Sequence, residues 1–120
     1  MRKRKARKTI EKYRQLMSVQ DWGLEVQFGR DEEDYSAIHP QHQYRRAELK
    51  MDLEMIKTDK TRTMGEFTRH ELAHLILARL GALATQAIGD NVEMQKAWED
   101  AEDEVATHIA RMAVWTRRGD

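Results

Sequence analysis

The segment His70-Glu71-Leu72-Ala73-His74 places an acid between two metal-binding side chains, at a spacing suited to zinc chemistry. An α-helix has about 3.6 residues per turn, so His70 and His74 lie on one face and both imidazoles can reach one Zn²⁺. A metal held in this way lowers the pKa of a bound water toward about 7. Glu71 would then act as general base, taking the proton of the attacking water and passing it to the leaving amine. We therefore predict a hydrolytic zinc site with His70 and His74 as ligands.

An alternative interpretation is that the two histidines are core residues that hydrogen-bond to protein neighbours. The same stretch of chain also carries apolar residues over most of the helix circumference, which indicates a buried helix: Leu72, Leu75, Ile76, Leu77, Leu80 and Leu83. Two imidazoles and a carboxylate inside such a helix cost free energy unless a partner satisfies them. Because a metal ion does so, the zinc interpretation is preferred.

The helix that carries this segment has clear start and stop signals. Thr63 and Glu66 form a capping box, in which Thr63 is the N-cap and Glu66 reaches back to it. Gly89 is a natural residue to follow the C-terminus. The helix is therefore predicted from about Met64 to Ile88.

A second long helix is predicted in the last third of the chain, where Asp90 or Asn91 is the cap and Glu93 completes a box with Asp90. An apolar stripe at helical spacing predicts the face that packs on the core: Met94, Trp98, Ala101, Val105, Ile109 and Met112. Two histidines alone do not complete the protein shell of a catalytic zinc, so a third ligand is sought among the acids of this helix.

The position of each acid relative to the apolar stripe ranks the candidates for the third zinc ligand. Glu102 borders the buried face and is the leading candidate for the third ligand, while Asp100 and Asp103 are predicted to point outward. Glu104, on the opposite flank, is the alternative. The remaining possibilities are Glu99, His108 or no protein ligand.

The first 20 residues are strongly basic, with eight lysines and arginines against Glu11 alone, a local net charge of +7 in a chain of net charge zero. Ile10, Tyr13, Leu16 and Met17 recur at helical spacing, which predicts an amphipathic helix with a solvated basic face. Binding to nucleic acid or to an acidic protein partner is possible, but nucleic acid is not favoured. No aromatic residue precedes Tyr13 to provide a stacking platform for bases.

The middle of the chain alternates apolar and polar residues, the pattern of half-buried strands. One strand is predicted around Leu24, Val26 and Phe28, and another around Ala47, Leu49, Met51 and Leu53. Residues 35–39 are predicted to form a short strand that Pro40 either ends or places at an edge. The whole indicates an α+β fold in one domain, 1–120, with an N-terminal helix, a small three-stranded sheet, a buried active-site helix and a packed C-terminal helix.

Composition indicates the cellular environment in which the protein is expected. The chain has 120 residues, 40% of them hydrophobic, and no cysteine, which excludes disulfides and thiolate zinc sites and agrees with a reducing environment. No apolar run could span a membrane and no leader is recognised, so a cytoplasmic protein with no membrane partner is expected. His39 and His42 could suggest a second metal site, but across Pro40 they are more simply surface residues.

The pentad followed by an acid-bearing helix resembles the gluzincin-type zinc metallopeptidases, and in particular the small versions found in phages and prophages. The resemblance covers most of the chain, from the basic first helix to the acid-bearing last one. It implies a peptidase in a bacterial or phage-infected cell, with zinc held by His70, His74 and a downstream Glu and with Glu71 as base. Endopeptidase activity of narrow specificity is expected, because a domain this small has little material to build a deep, general cleft. The resemblance also implies that a peptide or protein substrate pairs with the strand before the active-site helix, through residues Ala47, Leu49, Met51 and Leu53. For the oxyanion, His108 is the best candidate stabiliser.

Other zinc families fit less well. Metzincins need a third histidine one turn on, where this chain has Leu77 and Leu80. SprT-like proteases, which act on protein bound to DNA, would suit the basic helix, but they need a later histidine ligand and only His108 is available. The alternative from a different class is a non-catalytic, zinc-stabilised binding module whose basic helix docks onto nucleic acid or an acidic protein.

Overall fold

The computed structural model describes residues 2–29 and 35–119, without the side chains of His42 and of residues 114–119. It confirms the α+β class, with four helices and one three-stranded sheet along the described chain. The elements are α1 (Lys3–Leu16), β1 (Gly23–Phe28), β2 (Ser36–Gln41), a 3₁₀ turn (His42–Tyr44), β3 (Arg46–Met51), α2 (Leu53–Thr58), α3 (Met64–Ile88) and α4 (Val92–Gly119). None of the described helices is both long enough and apolar enough to cross a membrane.

The sheet has the strand order β1-β3-β2, so β3 is its central strand. β3 runs parallel to β1 and antiparallel to β2. Ala47, Leu49 and Met51 are buried, as the alternation predicted. The prediction was wrong for Leu53, which begins α2 because the carboxylate of Asp52 accepts a hydrogen bond from the backbone N–H of Met55 at 3.1 Å and caps that helix.

The central position of β3 corrects the prediction that a substrate pairs with Ala47, Leu49, Met51 and Leu53. Both edges of this strand already bond to neighbouring strands, so its backbone has no free edge to offer a peptide. The outer edge of β2 is free in the described sheet. Pro40 lies within β2, opposite Ala47, which agrees with the edge position that was one of its two predicted roles.

Helix α1 has the predicted amphipathic form. Ala6, Ile10 and Tyr13 are buried, as is Met17 just after the helix, while Leu16 is exposed. The guanidinium of Arg14 donates to the backbone carbonyl of Trp22 at 2.6 Å and so ties the end of α1 to the start of β1. The basic face of α1 is left toward solvent.

Helix α3 has the predicted bounds. The Thr63 hydroxyl accepts a hydrogen bond from the backbone N–H of Glu66 at 3.2 Å, and Gly89 has a positive φ of 63° that favours glycine. The prediction that α3 is buried over most of its circumference was wrong, because Ile76, Leu80 and Leu83 are exposed. The α3 residues in the core cluster shared with α1 extend from Leu72 to Ala78, and Leu80 and Leu83 lie beyond this stretch.

Helix α4 begins at the cap Asn91, whose side-chain oxygen accepts from the backbone N–H of Met94 at 3.1 Å. Its inner face coincides with the predicted stripe only in part, because Trp98 and Ile109 are half-buried as predicted while other members of the stripe are not. Ala106 and Ala110 are buried, whereas the predicted core residues Met94, Val105 and Met112 are exposed. Large apolar residues dominated the pattern, but the buried positions in the described part of α4 are alanines, whose small size allows close packing.

Candidate metal centre

Helix α3 brings the predicted zinc residues together. The imidazole rings of His70 and His74 are 5.0 Å apart between centroids and nearly perpendicular. One donor atom from each of His70, Glu71 and His74 lies within 4.8 Å of the other two, an arrangement that could hold a metal ion. Both histidines are partly buried at the wall of a cavity, because the turn of α3 that carries them faces β2 and α4.

Glu71 is buried, with only 6% of its surface exposed. The hydroxyl of Ser36, on the edge strand β2, donates a hydrogen bond to its Oε2 at 2.8 Å. A buried carboxylate needs such partners, because the charge is otherwise costly away from water. Sequence reasoning missed Ser36, since nothing in the local pattern indicates that β2 crosses beside residue 71.

Two acids of α4 face the histidines. Oε2 of Glu102 lies 3.6 Å from Nδ1 of His74. Oδ1 of Asp103 lies 3.0 Å from Nε2 of His70 and 3.8 Å from Nε2 of His74. Asp103 is exposed, as predicted, but its carboxylate also contacts the histidines, which the predicted stripe did not anticipate.

Burial shapes the electrostatics of this centre. Burial, followed by the neighbouring His70, lowers the pKa of His74, although Asp103 acts in the opposite direction. The neutral imidazole that results is the form that binds metals. Burial also raises the pKa of Glu102, with further contributions from Asp103 and Glu99. Three acids at one helix face generate a negative potential that a cation would relieve.

The other candidates are less well placed. Glu104 is exposed and does not line the cavity, while Glu99 does line it. His108 is exposed and lies outside the cavity lining, so its prediction as oxyanion stabiliser was wrong: it projects from an outward face of α4. His39 is exposed on β2, and the side chain of its proposed partner His42 lies outside the described part of the structure.

The cavity has a volume of about 1110 Å³ and is walled by β2, α3 and α4. Besides His70, Glu71 and His74, its lining includes Tyr35, Arg62, Gly81 and Trp98. Arg62 stacks on Phe67, with its guanidinium carbon 4.2 Å from the ring centroid. The Arg62 guanidinium and the Tyr35 hydroxyl are hydrogen-bond donors of the kind that stabilise a developing negative charge. For this role the sequence had suggested only His108.

The basic face of α1 is separate from this cavity. The seven basic side chains from Arg2 to Lys12 are all exposed, and none of them lines the cavity. Arg7 lies over the ring of Phe28, with its guanidinium carbon 5.0 Å from the centroid. The charge of α1 thus has no direct part in the metal centre.

No protein-family model, no curated protein and no solved structure matches this chain. The chemistry assigned to the chain therefore depends on the residues themselves. They form a cavity that contains a buried carboxylate, two imidazoles and two further acids within reach of those imidazoles.

Proposed function

We propose that this chain is a zinc-dependent hydrolase that cleaves peptide bonds. The observation that carries the proposal is the buried Glu71, which shares one cavity with His70 and His74 and has a donor atom within 4.8 Å of each. The donor set fits zinc, because imidazole nitrogen and carboxylate oxygen are its usual ligands where cysteine is lacking. The resemblance of the pentad to gluzincin-type peptidases supports the same chemistry.

His70 and His74 would hold the metal together with a carboxylate from α4. When bound, zinc supplies an acidified water and polarises the carbonyl to be cleaved. Three protein ligands leave a position for that water, as in other catalytic zinc sites. A cavity of about 1110 Å³ beside the histidines would accommodate a segment of the substrate.

Glu71 would move the proton. Its carboxylate takes a proton from the attacking water and delivers it to the nitrogen of the leaving amine. The Ser36 hydroxyl donates a hydrogen bond to Oε2 and would help to orient the carboxylate in the cavity. Arg62 or Tyr35 would stabilise the negative charge that develops on the carbonyl oxygen, because both line the same cavity.

The edge of β2 is the place where an extended peptide would lie. It borders the cavity through Ser36, Ala37 and Ile38, and its outer side is free in the described sheet. Peptides commonly bind by adding a strand to such an edge. Pro40 has no N–H to donate, so it limits the length of backbone that can pair and agrees with narrow specificity.

The test compares wild type with Glu71→Gln on a panel of unstructured protein substrates. The variant keeps the shape of the side chain and should keep zinc, but cleavage should fall by roughly 100-fold or more, because the base is lost. Glu104→Gln is the matched control, since it makes the same change at an exposed position outside the cavity. Equal cleavage by wild type and Glu71→Gln would contradict the mechanism.

The exposed basic face of α1 supports a second candidate, a zinc-stabilised module that binds a polyanion without catalysis. Electrostatic binding to duplex DNA weakens as salt rises, in proportion to the phosphates neutralised. Replacing Arg4, Arg7 and Lys8 by glutamine should then weaken binding and reduce its dependence on salt. Zinc retention, DNA binding and no cleavage of any substrate in the panel would favour this candidate over the hydrolase.

A further inference from the structure

We propose that Asp103 is the third ligand of the metal and that Glu102 positions the ring of His74. This inference rests on the proposed function, because it concerns the same centre. It departs from the expectation that a glutamate of α4 completes the site. Two acids that are neighbours in sequence would thus have different tasks, set by which nitrogen of His74 each one faces.

The first argument is the distance between donor atoms. Zinc binds imidazole nitrogen and carboxylate oxygen at about 2.0–2.2 Å, so two ligand atoms at a tetrahedral zinc lie roughly 3.4 Å apart. Oδ1 of Asp103 is 3.0 Å from Nε2 of His70 and 3.8 Å from Nε2 of His74. Both separations are near the expected value, and both involve the same nitrogen of each imidazole. Asp103 therefore already lies where a shared ligand would lie.

The second argument concerns the other side of the His74 ring. The Glu102 carboxylate faces Nδ1 of His74, at 3.6 Å, rather than Nε2. A metal-binding histidine commonly donates its second ring N–H to a carboxylate, which fixes the orientation of the ring and makes its ligating nitrogen more basic. Glu102 is placed for that role once Nε2 is committed to the metal.

The third argument is the position of the Glu102 side chain, which extends from α4 to contact α3. A side-chain Cβ built on Gly81 would lie only 2.8 Å from Oε1 of Glu102 and 3.7 Å from the Trp98 ring. The missing side chain of Gly81 thus makes room for one oxygen of Glu102, while the other faces Nδ1 of His74. Gly81 lies about two turns beyond His74, on the side away from His70. The space beside Gly81 therefore directs Glu102 to the side of the His74 ring that faces away from His70.

The experiment measures zinc affinity against a competing chelator for three variants that each remove one charge. Asp103→Asn should weaken zinc binding by more than about 100-fold, and Glu102→Gln by about 10- to 100-fold, the range typical of groups that orient a ligand. Asp100→Asn, at an exposed position on the same helix, should change little. Circular dichroism checks that each variant is folded.

Cobalt(II) provides a readout that a merely electrostatic role would not affect. Its visible absorption depends on the atoms bound to it, so Asp103→Asn should change the spectrum of the cobalt-loaded protein. Glu102→Gln should leave the band positions in place. Gly81→Ala should lower zinc affinity in the wild type but not in a Glu102→Ala background, where the added methyl group no longer meets a carboxylate.

The outcomes separate this inference from the proposed function. If Glu102→Gln causes the larger loss of affinity and changes the cobalt spectrum, Glu102 is the ligand and the inference is overturned, while the zinc site stands. If both variants lose equally little, neither acid binds the metal and the inference also fails. If wild type binds no zinc, the contact between Asp103 and His70 is a hydrogen bond only, and the proposed function falls together with the inference.

Discussion

The hydroxyl of Ser36 donates a hydrogen bond to Oε2 of Glu71 at 2.8 Å, joining the edge strand β2 to α3 across 35 positions of sequence. Ser36 is the first residue of β2, so the same short segment offers a free sheet edge and holds the proposed base. Hydrogen bonds to a charged group contribute about 1.5–3 kcal/mol, more than those between neutral groups. The orientation of Glu71 therefore depends on the docking of β2 as well as on α3.

Ser36→Ala removes that hydrogen bond without touching a metal-binding side chain. Zinc content should be unchanged, while the cleavage rate should fall by roughly tenfold or more, since about 1.4 kcal/mol corresponds to a factor of ten. Steady-state cleavage and elemental analysis measure the two effects. Thr58→Ala is the control, because it removes an exposed hydroxyl away from the cavity. An unchanged rate in Ser36→Ala would show that Glu71 needs no help from β2.

Removal of either histidine should abolish metal binding. We expect about one zinc per chain in wild type and none in His70→Ala or His74→Ala, because a single imidazole and a carboxylate do not form a stable site. Chelation of wild type should lower its melting temperature, since a ligand that binds only the folded state stabilises it. His39→Ala, at an exposed position of β2, should retain the metal. A wild type without zinc, and with the same melting temperature after chelation, would refute the prediction.

The loop before α3 should make stability depend on pH in the acid range. Hydrogen bonds from the Thr61 hydroxyl and from the backbone N–H groups of Thr61 and Arg62 lower the pKa of Asp59 from its ordinary value of 3.8. A lowered pKa stabilises the fold above the unfolded-state pKa, and this contribution is lost as pH falls through the folded-state value.

Asp59→Asn should therefore be less stable than wild type at pH 7, with the difference shrinking below about pH 3.8. Urea unfolding with a chelator present, at several pH values, measures this without any contribution from zinc. Asp100→Asn provides the comparison at an exposed helix position. A difference between Asp59→Asn and wild type that is constant across pH would mean that the carboxylate charge is not involved.

Two leucines of α3 should respond very differently to truncation. Leu72 has 0% of its surface exposed and Leu83 has 55%. Leu72→Ala should cost about 2–5 kcal/mol of unfolding free energy, the range for a buried leucine that leaves a cavity. Leu83→Ala should change it by only about 0.5 kcal/mol, as is usual at exposed positions. Denaturant unfolding of both variants tests the orientation of α3, and equal losses would contradict it.

Local signals predicted the bounds of α3 well and the packing of α4 poorly. The bounds of α3 follow from Thr63, Glu66 and Gly89, which act through neighbouring backbone groups. Which residues of α4 are buried depends on how closely α4 approaches α3. A close approach favours alanine over larger residues at the buried positions. Ala106 is fully buried while Val105 beside it is 44% exposed, an outcome that hydrophobic periodicity cannot anticipate.

The same distinction applies to the metal centre. The spacing of His70, Glu71 and His74 is a property of one helix, so the sequence was enough to place these three side chains together. Ser36 and Asp103 reach the site only through the docking of β2 and of α4. Nothing local to residues 36 or 103 reports those tertiary contacts.

The strand order has a consequence for how the chain folds during synthesis. β3 is the last strand to leave the ribosome, yet it is the one between the other two. β1 and β2 therefore cannot form a hairpin together, and both lack a sheet partner until residue 51 has emerged. β2 and β3 are antiparallel and joined only by residues 42–45, so they form a hairpin as soon as β3 has emerged. The parallel pairing of β1 with β3 closes a longer loop, which adds an entropic cost and slows that step. The nascent sheet is thus expected to begin with its last two strands and to add its first strand afterwards.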